Sequence, residues 1–178
     1  MKVHSILLTT ILFSSAVYAQ NNRQVNPRKA PGQVPQNQGE MIFNQLLNAF
    51  NQSADEVVAL FHHEAVIEFP YAPSLGTASK LNFKEYHNYM KGALSHMPGI
   101  HFENARVYQV NKNTYWAEVH GEAHIPSTGK LYQQDYVIHF TLKEDKINFY
   151  KEYWDPVAGI KAFGNQKAME EIFSTKNK

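Results

Sequence analysis

No cysteine occurs among the 178 residues. That excludes disulfides, thiolate metal sites, a cysteine nucleophile and a lipid anchor on a cysteine. Stability must come from packing alone. An excess of either charge is also lacking: 17 Lys+Arg stand against 16 Asp+Glu, and without residues 1–19, which hold one lysine and no acid, the balance is even. So neutral a chain has no electrostatic reason to bind nucleic acid or an anionic membrane. No apolar run approaches the roughly 20 residues that cross a bilayer. There is no nucleophile elbow, phosphate loop or cluster of carboxylates, so no cofactor is expected.

What is abundant is aromatic side chains, at 13% with ten Tyr and eleven Phe. Such a chain can fill one sizeable core and still line a cavity. The first nineteen residues read differently. Lys2 and His4 precede an apolar run from Ile6 to Phe13, and Val17-Tyr18-Ala19 ends the segment in a signal-peptidase-like site. This is the layout of a secretory signal peptide. It predicts export to the periplasm or beyond, with cleavage after Ala19. Residues 20–39 are rich in Asn, Gln and Pro and bury too little to offset their ordering entropy, so they read as a disordered leader.

Residues 40–164 carry the folded domain, and 165–178 read as a tail, a frayed or loosely docked helix. Met41, Ile42, Leu46, Leu47 and Phe50 recur at helical spacing. Ser53 caps a second helix, with Glu56 completing a capping box, and Asn82 caps a third that Pro98-Gly99 ends. A short strand covers 65–69, with His62, His63 and Glu64 at the turn before it. Four long strands follow at 100–110, 114–125, 130–142 and 146–154, joined by hairpin-length turns. A short helix, 157–163, closes the domain at Gly164. Three helices followed by a meander make an α+β plan. A strongly bent sheet wrapped on those helices leaves a cavity at its open end.

The order of elements, with Phe61–Pro70 (FHHEAVIEFP) and Lys151–Pro156 (KEYWDP), resembles the nuclear-transport-factor-2-like superfamily. Within it, the SnoaL-like branch is the nearest in pattern. The resemblance implies a cone: three N-terminal helices packed in a strongly curved, mostly antiparallel sheet. It implies a homodimer and a small, largely apolar molecule in the hollow, with ring closure, isomerisation, epoxide hydrolysis or dehydration among the known activities. The positions matching the acid–base groups of the superfamily's steroid isomerases hold Phe69, Gln45 and Ile138, which excludes that route. Against the phenazine-biosynthesis A/B proteins, the functional glutamate of the last strand matches Glu152. The partner histidine of the third helix matches Tyr89.

Side chains alternate across a strand, so Asn148, Tyr150, Glu152 and Trp154 share one face, and Tyr136, Ile138 and Phe140 share another. In the family register Glu152 sits in a pocket made by Phe69, Tyr71, Tyr136, Tyr150 and Trp154, with Tyr89 and Ile138 also on the ligand. A carboxyl so desolvated has a raised pKa and serves as a general acid near neutrality. The plain alternative pairs Glu152 with an interior tyrosine hydroxyl or a lysine across the sheet. Trp116, Glu118, His120, Glu122 and His124 alternate on one strand. That face is either the polar wall of the pocket, with His120 as base, or the outside. No metal site is expected, because His120 and His124 lie about 13 Å apart at ~3.3 Å per residue. Two functions stay open: an acid–base enzyme using Glu152, and a non-catalytic binding module.

Overall fold

The computed structural model describes residues 37–173. Residues 1–19, expected to be a signal peptide, and residues 20–36 of the expected leader lie outside the described residues, as does the end of the chain from 174 on.

Local chemistry sets where each helix begins. The Asn37 side chain accepts from the Glu40 amide and starts α1 (Gln38–Ala49), whose Phe43, Leu46 and Ala49 are buried. Ser53 accepts from the Glu56 amide and starts α2 (Ala54–Ala59). Asn82 and Glu85 exchange both bonds of a capping box at the head of α3 (Phe83–His96). Asp155 caps α4 (Pro156–Phe163), which has Pro156 in its first turn and stops at Gly164, where φ is 108°. A further helix, α5 (Gln166–Phe173), buries Met169 and Phe173. The segment expected as a tail therefore contains a helix with an inward face.

The strands are β1 (Phe61–Glu68), β2 (Lys80–Asn82), β3 (His101–Asn111), β4 (Thr114–Ile125), β5 (Lys130–Lys143) and β6 (Lys146–Tyr153). They form one sheet in the order β2-β1-β6-β5-β4-β3. All neighbours are antiparallel except β1 and β6, which run parallel. β1 begins four residues earlier than its apolar run suggests. His62, His63 and Glu64 therefore belong to the strand, not to a turn, and His62 is buried.

Irregularities bend the sheet. Between Phe61 and Val66 the register of β1 against β6 shifts, and β3 shifts between Glu103 and Arg106, where Asn104 has φ 58°. Such bulges kink a strand and raise its twist. The β5–β6 turn places Glu144 and Asp145 at φ 52° and 60°, the pair of left-handed residues of a tight hairpin. A shift between Thr141 and Leu142 lets Ile147 and Tyr150 both face inward, although they are three residues apart. Alternation alone cannot carry an inward face from Asn148 to Tyr150, and Asn148 is not part of the cavity wall.

The core lies between the concave face and the helices. Phe43 stacks on Phe140 at 6.0 Å, and Phe140 on Tyr115 at 5.1 Å. Gly121 keeps the sheet thin where a Cβ would meet the Tyr136 and Phe102 rings at 3.0 and 3.1 Å.

Candidate functional site: a carboxyl in an aromatic cavity

The hollow of the curved sheet stays open. Its interior leaves about 80 Å³ to the centres of water-sized spheres, several times the roughly 10–15 Å³ that one water needs. α1 contributes Phe43 and Leu47, with Phe50 just past its end; α3 contributes Tyr86 and Tyr89, and the sheet contributes Val119, Tyr132, Tyr136, Ile138, Tyr150 and Glu152. Trp154 follows from the end of β6, while Phe163, Met169 and Phe173 close the wall from α4 and α5. Among the described residues no Lys, Arg or His lines it, and Glu152 is its one carboxyl.

Glu152 is half-buried, on the wall of a hollow that admits water-sized spheres. Burial pushes its carboxyl up to about 7 from the ordinary 4.5, opposed by a hydrogen bond from Tyr150. The Tyr150 hydroxyl donates to Glu152 Oε2 at 2.6 Å. Both halves of the expectation are thus present together: a desolvated carboxyl, and a bond from an interior tyrosine. A lysine partner across the sheet is not, since Lys151 points to the other face and binds Glu68 at 2.8 Å.

Tyrosines surround this carboxyl. Burial, with the charge of Glu152 adding, holds the phenols of Tyr86, Tyr89, Tyr136 and Tyr150 well above their ordinary range. Tyr132 is raised for the same reason and shares a 2.9 Å hydroxyl contact with Tyr136. These phenols therefore stay protonated and can donate; Tyr150 donates to Glu152, and one of Tyr132 and Tyr136 donates to the other. The Trp154 indole Nε1–H is buried with no acceptor among the described residues, which is costly for a donor. The wall is apolar with an excess of donors, and one group in it changes charge near neutrality.

Of the residues singled out from sequence, Phe69, Tyr89, Tyr136, Ile138, Tyr150, Glu152 and Trp154 all line the hollow. Tyr71 does not: it is 49% exposed and packs edge-on against Tyr153, because the turn after Pro70 carries it around the rim. His120 is also elsewhere. On β4 the odd-numbered residues Tyr115, Ala117, Val119 and Ala123 are buried, so His120 faces the convex side. There its ring bonds Asp135 at 2.6 Å and Glu122 at 3.2 Å. The Asp135 bond is the main cause that raises its pKa. It cannot serve as a base in the hollow. Gln45 is exposed.

Tyr86 and Tyr132 were not singled out, although both had a signal. Tyr86 stands three residues before Tyr89 on one helix, and Tyr132 shares the strand parity of Tyr136. The contributions of Phe163, Met169 and Phe173 had none, because they depend on how α4 and α5 fold back.

His62, His63 and Glu64 are the one group of metal-ligand types gathered within 4.8 Å among the described residues. Two of its three residues already have partners. The Glu64 amide donates to His62 Nδ1 at 3.2 Å, and Lys143 Nζ bonds Glu64 Oε2 at 2.7 Å.

Residues 43–150 match the SnoaL-like domain. The chain is 32% identical over 107 residues to YesE of Bacillus subtilis, spanning 59% of this chain and 72% of that protein. It is 27% identical over 138 residues to a PhzA/B-like protein of Pseudomonas aeruginosa, spanning 76% and 96%. A crystal structure of a proposed isomerase from Bacillus subtilis superposes with a TM-score of 0.66 at 26% identity, covering 72% of this chain and 96% of the other.

Proposed function

Because the chain belongs to the SnoaL-like domain family, we propose that it is a small-molecule enzyme whose cavity moves a proton through Glu152. The observation that carries this reading is a lone carboxyl, set in a wall of apolar and phenolic groups and raised to about 7. An acid–base group is most effective when its pKa lies near the working pH, since useful fractions of both forms are then present. The neighbouring phenols remain donors, which suits them to stabilise an oxygen that gains negative charge during the reaction.

One proton carrier favours a reaction with no net gain or loss of protons. Phe69 and Ile138 are apolar and Tyr89 stays protonated, so among the described residues no second group in the wall is placed to exchange a proton near neutrality. Isomerisation fits that constraint: Glu152 takes a proton from one carbon and returns it to another atom of the same molecule. With no cation in the wall among the described residues, an uncharged ligand with an apolar body and a carbonyl-type oxygen is favoured.

The test is carbon-acid exchange in D2O, using small ketones such as cyclohexanone and cyclohexenone as probes and NMR as the readout. The wild-type protein should speed exchange beside the carbonyl. Glu152→Gln should lose about 100-fold or more of that acceleration while keeping its fold. Equal rates in the two proteins would defeat the proposal.

The second reading is a non-catalytic binding module. It is favoured by Phe69 standing where the steroid isomerases carry their base. In that case ketones would shift the resonances of cavity residues with no exchange above the solution rate.

A further inference from the structure

We propose that Tyr150 is the positioning residue of this site: its hydroxyl holds Oε2 of Glu152 as an acceptor, leaving Oε1 as the atom that carries the exchangeable proton. This rests on the reading of Glu152 as the proton carrier and specifies which oxygen does the work. Residues 150 and 152 stand two apart on β6, so their side chains rise from the same face and meet without distorting the strand. The contact is 2.6 Å, in the short range of a hydroxyl donating to a carboxylate.

The ring that presents this hydroxyl has little freedom. Tyr150 is buried, edge-on to Phe61 at 5.6 Å and tilted against Tyr86 at 6.4 Å. The four other tyrosines around the carboxyl do not bond it. Tyr132 and Tyr136 engage each other at 2.9 Å, and Tyr86 and Tyr89 pack ring on ring at 6.2 Å. No Lys, Arg or His faces Glu152 from the helices or the sheet among the described residues.

The consequence follows from donor and acceptor roles. A phenol that stays protonated can donate to Oε2 of the carboxylate and equally to the carbonyl oxygen of the neutral acid. The acid proton then sits on Oε1. A hydrogen bond favours the charged acceptor more strongly than the neutral one. Tyr150 therefore opposes the desolvation of Glu152 and keeps the carboxyl ionisable near neutral pH instead of well above it.

The test needs no substrate, so its outcome is separate from that of the exchange assay. In protein carrying 13C at glutamate side-chain carboxyls, the Glu152 resonance is assigned by its loss in Glu152→Gln and followed against pH. Tyr150→Phe, which removes one oxygen and keeps the ring, should move the midpoint upward by about one pH unit or more. Tyr86→Phe, which removes a nearby hydroxyl that is not bonded to Glu152, should move it much less. A residue with only a packing role would change stability and leave the midpoint alone. Should Tyr150→Phe not fold, 3-fluorotyrosine placed at position 150 supplies a more acidic donor, and the midpoint should fall. An unmoved midpoint in the folded variant, or an equal shift in Tyr86→Phe, overturns the assignment.

Discussion

At the scale of single residues, Glu152 carries a measurable cost. Its carboxyl is raised from 4.5 to about 7 in the folded chain, which corresponds to about 3 kcal/mol between the two protonation states. The sign follows from where the protons are. Below pH 4.5 the group is neutral in both states and costs nothing. Between 4.5 and about 7 the unfolded chain has released its proton while the folded chain keeps it, so stability falls as pH rises. Above that window the loss is complete and constant.

Glu152→Gln removes the titration and keeps the shape. Urea denaturation should find this variant close to wild type at pH 5 and more stable at pH 8, by about 2–3 kcal/mol. A gap that does not change with pH would mean that the carboxyl is not desolvated. The residue proposed to carry the proton is thus one that the fold would do better without.

At this scale much of the site was legible. Glu152, Tyr150 and Trp154 were placed together by alternation along one strand, and the hollow does receive all three. His120 was not decidable that way, because its strand alternates polar and apolar side chains and either face could have been inward. What decides it is packing: Ala117, Val119 and Ala123 are buried, and Gly121 between them faces the rings of Tyr136 and Phe102. Tyr71 lies outside the hollow because a 3-10 turn at Ala72–Leu75 turns the chain just beyond Pro70, and nothing in strand alternation signals that turn.

At the scale of elements, the helices announced themselves through Ser53 and Asn82: Asn82 forms the full box with Glu85, while at Ser53 only the bond from the Glu56 amide is made, because the Ser53 amide donates to the Ala49 carbonyl instead. The long antiparallel strands announced themselves through period-two patterns and short turns. The start of β1 did not, since His62, His63 and Glu64 look like turn residues until β6 pairs alongside. β2, three residues long, has no periodicity to read. The last helix was underestimated for a related reason: its apolar residues Met169 and Phe173 gain meaning only from what they meet.

They meet the cavity wall. Phe173 lies edge-on to Phe163 at 5.6 Å and tilts against Tyr89 at 5.5 Å, so α5 closes part of the hollow. Phe173→Ala should destabilise the domain by about 3 kcal/mol, the usual scale for emptying a buried phenylalanine site, read by thermal or urea unfolding. A loss below about 1 kcal/mol would show that α5 contributes little packing there.

At the scale of the whole molecule, the α+β plan follows from element order, and the curvature follows from the bulges. The plan is legible in the sequence pattern and the bend is not, because a bulge is a change of pairing register and leaves no composition signal of its own. The parallel pairing of β1 with β6 joins the first strand to the end of the meander. It brings Phe69, just past β1, into the same hollow as Glu152 on β6. The family fixes this cone without fixing a reaction, so the functional argument rests on the contents of the hollow.

Those contents reduce to one claim: an enclosed carboxyl that is close to half-protonated at neutral pH. The direct measurement is the titration of Glu152 in the unliganded wild-type protein, read from its side-chain 13C carboxyl resonance. The account predicts a midpoint near pH 7. A midpoint near 4.5, the ordinary glutamate value, would contradict it.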